Sequence, residues 1–316
     1  MSLQRFVLKR TLLTIPLLLG VALITFGMVH AIPGDPIDFI TLFTELDPQT
    51  EAEIRAQYGL DQPVYVQFID WVIGVAMLDF GNSIITQRPV TVEIMDRLPY
   101  TLLMGTMAFA VTVITAIPAG IVAAYYRNTI IDQFSRVFAL VGIAMPNFWL
   151  GLILILVFAS WLGLFPVLPP TERGLLSSDM IIYTLLPAIA IGTGATALMM
   201  RLMRSSMVEE LDKDYVRTAR AKGLPERTVV RKHVLRNSLI SVVTVAAIQI
   251  AFIISGSVVV EIVFSYPGIG RLLVDRVGNR DFPVIQGIVL LIGVAVIVVN
   301  LIADVLYAYL DPRIRY

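Results

Sequence analysis

DKDYVRTARAKGLPERTVVRKHVLRN, Asp212–Asn237, is a polar interlude in a chain of 316 residues that is otherwise mostly hydrocarbon. Its pattern reads as two short helices joined by a bend. Asp212 or Asp214 can accept from the free amides of a first turn, while Arg217, Arg220 and Lys222 complement the negative end of the dipole. Gly223 supplies a left-handed stop and Leu224 is the joint. Pro225 suits the first position of a second helix, where its missing N–H has no partner to lose, and Glu226 follows in the first turn. Tyr215, Thr218, Ala219 and Lys222 fall three or four residues apart, so one face carries an aromatic ring and a cation around two small side chains. Small side chains let another surface come close. A loop that merely holds positive charge fits the same pattern.

On both sides of this stretch the chain is apolar. Hydrophobic residues make up 57% and charged ones 15%, and the mean hydropathy of +0.81 lies well outside what a soluble core of this size requires. Six runs are long enough to cross about 30 Å of hydrocarbon at 1.5 Å per residue: Thr11–Ile32, Thr101–Ala124, Val137–Leu164, Met180–Met200, Leu239–Val263 and Val284–Leu310. The first follows cations, as a secretory signal would. Its 22 residues exceed the roughly 7–15 of a signal core, so it is read as an uncleaved first span. The expected fold is an all-α integral membrane protein with six transmembrane helices. Residues 1–32 form a tail and first span, 33–98 an external helical segment, and 99–316 a five-helix domain containing the loop 201–238.

Orientation follows from Lys and Arg. With the N-terminus inside, 17 of the 24 cations, ten of them between Arg201 and Arg236, fall on the cytoplasmic side. Every lysine is among them. The positive-inside bias therefore places both termini and the polar interlude in the cytoplasm of a multi-pass plasma-membrane protein. The external segment holds eleven acids against Arg55, Arg88 and Arg97. Within it Pro48–Tyr58 reads as a helix stopped by Gly59 and Pro89–Leu98 as a helix leading into the second span. Gln62–Val75 reads as an amphipathic helix whose Val64, Phe68, Ile69, Trp71 and Val72 suit the membrane interface. The segment is either a folded cap or a docking surface for an external partner.

Polar and helix-breaking residues inside the spans are few. Pro118, Pro146 with Asn147, and Pro187 permit kinks. Gln249, Ser255, Ser257, Glu261, Asn300 and Asp304 belong in the bundle or on a wet pathway, and a structural bond serves Asp304 equally well. Gly192, Gly194, Ala195 and Ala197 mark close helix packing. Ser265 and Pro267 can start a short external helix after the fifth span, with Tyr266 and Gly268 at its turn. The chain has no cysteine, two distant histidines (His30 and His233) and no G-x-x-x-x-G-K-[ST] loop. No metal site and no cofactor are therefore expected, and no ATPase of its own. An intramembrane hydrolase would need a Ser/His pair or facing aspartates at membrane depth, and Asp304 is the only Asp deep in a span. A secondary transporter would leave the long polar loop without a task, and no inverted repeat is evident.

RTARAKG followed by HVLRN resembles the cytoplasmic signature loop of ATP-binding-cassette importer permeases, in the variant of the dipeptide and oligopeptide branch. The general signature is Glu-Ala-Ala, three residues and Gly, with Ile-x-Leu-Pro ten residues on. Ala219 and Gly223 match; Arg217 and Thr218 stand at the Glu and first Ala positions, and His233, Leu235 and Arg236 at Ile, Leu and Pro. HAIPGDP (30–36), DFGNS (79–83), RPVTVEIMDRLPYTL (88–102), EIVFSYPGIGRLL (261–273), RDFP (280–283), NLIADVLY (300–307) and DPRIR (311–315) resemble the same branch, which covers essentially the whole chain.

The resemblance implies a permease of its first-permease type. It would pair with a homologous second permease, two ATPase subunits and an external solute-binding protein, and carry di- or oligopeptides or, alternatively, nickel chelates, glutathione or oligosaccharides. It places coupling to the ATPase at Tyr215, Thr218, Ala219, Ala221, Lys222, Gly223 and Leu224. Glu261, Tyr266, Pro267, Gly268, Gln249, Ser255, Asn300 and Asp304 become candidates for the outer mouth and pathway. No residue is expected to be catalytic, and no nucleic acid is expected as a partner.

Overall fold

The computed structural model describes residues 3–31, 47–57, 59–170 and 174–310. HAIPGDP beyond Ala31 and DPRIR lie outside the described residues. The helices are α1 Leu3–Ala31, α2 Pro48–Gln57, α3 Val64–Ala76, α4 Val90–Tyr125, α5 Ile130–Ala144 and α6 Asn147–Leu154, the last prolonged by a π-helical Ile155–Trp161. There follow α7 Ser178–Leu211, α8 Asp214–Ala221 and α9 Glu226–Thr228, which runs through a π-helical Val229–Val234 into α10 Leu235–Val263. α11 Ile269–Gly278 and α12 Phe282–Leu310 complete the order. Among the described residues the only strand-like pairing is the isolated bridge of Asn82 with Pro89.

Five of the described helices are long and apolar enough to cross a membrane: Val7–Met28, Val90–Tyr125, Ser178–Leu211, Glu226–Ile250 and Phe282–Val305. The expected third span is not one kinked helix. A residue before proline is driven from the α region, and Met145 is accordingly extended (φ −79°, ψ 123°). The axis turns by 104° between Ile130–Ala144 and Asn147–Trp161, which together count as a sixth span only as a broken pair. Pro187 has no such effect, and α7 continues for 34 residues from a Ser177 cap whose hydroxyl accepts from the Met180 amide. The helix expected over Pro89–Leu98 is the opening of α4. At 36 residues α4 extends about 54 Å, well beyond the hydrocarbon.

One compact unit is centred on Leu102–Tyr266, and α7 is its axis, packed by α5, α6 and α10. A Cβ on Gly120 would lie 2.6 Å from Met203 Cβ, and one on Gly142 2.9 Å from Ala197 Cβ. Thr112 Oγ1 donates to the Gly192 carbonyl at 3.2 Å. Glycines of α4 and α5, and Gly192 and Ala197 of α7, are thus where the helices approach. Met199, Met203 and Met207 are completely buried with Val216, Val229 and Val234, each such side chain contributing about 1.5–3 kcal/mol by transfer from water.

The second unit joins the described part of Leu8–Thr101 to Pro267–Val298. Its core is Val90, Ile94, Ile269, Leu272, Val284 and Ile288. Phe68 and Trp71 of α3 turn toward the Phe26 ring of α1, at centroid distances of 5.3 and 5.8 Å. They pack on the first span instead of lying free for an interface, while Val64 and Ile69 stay exposed.

Candidate functional site

The polar interlude folds as helix, bend and helix, with two differences from the sequence reading. The N-cap of α8 is Lys213, without a side-chain cap. Asp214 instead pairs with Arg217 at 3.3 Å and Asp212 with Arg127 at 3.0 Å. The second helix is also not separate, since Pro225 caps a stretch that continues through the π-helical turn into α10. Gly223 closes α8 at φ +75°, donating to the Arg220 carbonyl at 2.9 Å.

α8 is braced at both ends. The Tyr215 hydroxyl donates to Glu210 at the end of α7 and accepts from Asn237 Nδ2 at 3.0 Å. Burial, and then the Glu210 carboxylate, push the Tyr215 phenol above its ordinary value, so it keeps its proton and donates. Lys213 also bonds Glu210, which holds the ammonium charged. At the far end Arg220 makes a two-pronged bond to Glu226, at 3.0 and 2.7 Å, across the bend.

The inner face of α8 corrects one expectation. Val216 and Ala219 are buried at 0% and 7% exposure against the methionine core of α7. The small size of Ala219 lets α8 lie on its own chain and does not offer a partner a close approach. What α8 and its stop present outward are Thr218, Ala221, Lys222, Gly223 and Leu224, with Tyr215 at the edge.

A cluster that the sequence reading missed lies in the same unit. Asp132, fully buried, accepts from Arg204 of α7 and Arg136 of α5, and from the Asn128 amide at 3.0 Å. The signal was present: a carboxylate in the first turn of an otherwise apolar helix, once buried, has to find a cation.

The pathway candidates separate. Gln249 is buried at 7% exposure and Glu261 at 0%. Tyr266 is buried and parallel to Tyr183 at 6.0 Å, its hydroxyl 3.1 Å from Thr184 Oγ1. Tyr183 donates to the Phe264 carbonyl. Asn300 is exposed on α12, Asp304 is half-buried, and Ser255 lies in α10 with its side chain outside the described residues.

Ser265 does not cap α11. It ends α10 at φ +51° while Tyr266 N donates to Glu261 O at 2.7 Å, an αL stop made without glycine. In the second unit Gly268 is the N-cap of α11 and Pro267 is half-buried. The first amide of α11, at Ile269, donates to Thr101 Oγ1 at 2.8 Å.

The second unit also holds a buried polar clamp that sequence reading did not find. Asp281, with no exposed surface, accepts from the Ser83 hydroxyl at 2.5 Å and from the Ile84 amide at 3.1 Å. Arg276 donates to Glu93 at 2.9 Å and lies 3.9 Å from Asp281. These bonds tie the Asp79–Pro89 loop to the segment joining α11 and α12. Burial pushes the Asp281 carboxyl above the usual range.

Residues 116–316 match the family described as binding-protein-dependent transport system inner membrane component, and residues 3–105 its N-terminal region. The chain belongs to this family. It is a permease subunit of an ATP-binding-cassette importer of the peptide and oligopeptide type, a multi-pass membrane protein without its own ATPase. The permease is 44% identical, over 311 residues, to the glutathione transport system permease protein GsiC of Salmonella typhimurium. The alignment covers 98% of this chain and 99% of that one. The GsiC proteins of Salmonella choleraesuis and Escherichia coli K12 match with the same identity and coverage.

Proposed function

We propose that this permease imports short peptides, glutathione foremost, as one of two homologous permeases seated on two ATPase subunits and fed by an external solute-binding protein. The observation that carries the substrate is the 44% identity across 98% of the chain to permeases named for glutathione transport. The Lys and Arg asymmetry supports a cytoplasmic position for both termini and the Asp212–Asn237 loop. There Thr218, Ala221, Lys222, Gly223 and Leu224 meet an ATPase subunit. ATP-driven closure of the ATPase pair moves α8, and through Glu210 and Asn237 it moves α7 and α10. The spans then alternate between inward-open and outward-open arrangements. Gln249, Glu261, Asn300 and Asp304 line or border the pathway.

The test is transport by the whole complex in proteoliposomes with its own binding protein. Glutathione or a dipeptide should be taken up and should stimulate ATP hydrolysis. Stimulation by nickel chelates or oligosaccharides with none by peptides would refute the substrate and leave the permease role standing.

A further inference from the structure

Beside the bend lies a second feature that the coupling reading does not use. A pocket of about 330 Å³ opens between the end of α4 and the start of the segment leading into α10, lined by Ile121, Tyr125, Arg227, Val230, Arg231 and Leu235. Its floor is apolar, from Ile121, Val230 and Leu235. Its rim carries two guanidiniums one helical turn apart and the half-exposed ring of Tyr125. Arg220, Arg127, Arg204, Arg136 and Lys213 each have a carboxylate partner. Arg227 and Arg231 have none among the described residues, and the nearest acid in sequence, Glu226, is held by Arg220.

Two exposed guanidiniums without a carboxylate partner among the described residues, lining one pocket with an apolar floor, suit an anion with an apolar body. The pocket's depth says which kind. Ile121 and Tyr125 end the candidate span Val90–Tyr125 and Arg227, Val230, Arg231 and Leu235 open the candidate span Glu226–Ile250, so the pocket lies at the ends of two apolar spans, where headgroups are expected and tyrosine rings collect. Guanidinium forks match the oxygens of a phosphodiester, and basic pockets between spans hold anionic headgroups. We infer that Arg227, Arg231 and Tyr125 bind the phosphodiester headgroup of an anionic glycerophospholipid, with its first acyl carbons on Ile121, Val230 and Leu235. The lipid would then clamp α4 to the root of the coupling loop. The inference does not depend on the substrate.

The experiment uses the complete transporter in nanodiscs of phosphatidylcholine with graded phosphatidylglycerol, and counts lipid retained on extraction by native mass spectrometry. Each arginine near a charged bilayer surface is worth roughly a fivefold gain. The double variant Arg227→Gln/Arg231→Gln should therefore lower phosphatidylglycerol retention about thirtyfold, with unchanged phosphatidylcholine and a full complement of ATPase subunits. The double lysine variant should restore most of it. Retention equal to wild type in the Gln variant would overturn the site. So would displacement of the lipid by inorganic phosphate alone, or loss of ATPase subunits with lipid retained, which would make the pocket part of the ATPase seat.

Discussion

Removing the Asp132 carboxylate tests how the α5–α7 contact is held. Asp132 has no exposed surface, Arg204 retains 20% and Arg136 53%. The exposed Arg136 is solvated whether or not it is paired, so its share is small. Arg204 and the Asn128 amide are the groups left without a partner. Breaking a buried pair costs about 3–5 kcal/mol; with Arg204 partly wet, Asp132→Ala should cost about 3 kcal/mol, over a hundredfold in the folded-to-unfolded ratio. The assay is thermal unfolding of the purified complex, with a double-mutant cycle. Asp132→Leu combined with Arg204→Met should recover most of the loss, because an apolar pair of similar volume has no uncompensated charge. If Asp132→Ala is neutral, or the double variant is as unstable as the two single changes added, the buried pair does not hold α5 to α7.

Three further outcomes are expected. Ala219→Trp should destabilise the permease itself by about 1–3 kcal/mol through overpacking, whereas Ala221→Trp should leave its unfolding unchanged and strip ATPase subunits on purification; equal behaviour of the two would refute the orientation of α8. For Asp281 the folded carboxyl binds its proton more tightly than the unfolded one, so this group's contribution to stability is fully present below about 3.8, the unfolded value, and is lost as pH rises through the raised folded value. The pH slope of the unfolding midpoint should flatten in that window in Asp281→Asn, and an unaltered slope would count against the buried charge. Ser265→Gly should raise stability by a few tenths to about 1 kcal/mol, since glycine takes φ +51° without steric penalty, and a loss of stability would show that the serine side chain matters more than the backbone.

Five of the six expected spans, the bend at Gly223 and the stop at Gly59 were legible because each rests on a local rule: run length, or a residue suited to positive φ. What was not legible depends on partners distant in sequence. Ala219 sits at the spacing of a docking face, but only the path of α7 decides which side of α8 is covered, and Met199, Met203 and Met207 cover the side of Val216 and Ala219. The α11 start read as a serine cap because Ser265 and Pro267 together suit a helix start; the actual donor–acceptor pair joins Ile269 to Thr101, 168 residues apart. Leu78, Ser265 and Arg280 stand at positive φ where a pattern search expects glycine. In each case tertiary contacts outweigh a local cost of about 1–2 kcal/mol.

The bracing of α8 constrains how force leaves it. A push on Thr218, Ala221 or Leu224 cannot be absorbed within α8, because one end is bonded to Glu210 and Asn237, the other to Glu226, and the underside is packed in the methionine core. α7 is one unbroken helix, Ser178–Leu211, so displacement at Glu210 travels along it as a lever. Compliance must then sit where helical bonding is irregular. Within this unit those places are the break at Met145–Pro146 and the π-helical turns Ile155–Trp161 and Val229–Val234. The second π-turn lies between the bend and α10, so the chain path from the bend into α10 passes an irregular turn and α10 follows α8 through the Asn237–Tyr215 bond, whereas α7 runs unbroken to Glu210. On the proposed coupling, an unbroken α7 beside an α10 that begins at a π-turn would convert a push on the loop into relative motion of two neighbouring spans, and that differential motion is what opening one side of a membrane pathway while closing the other requires.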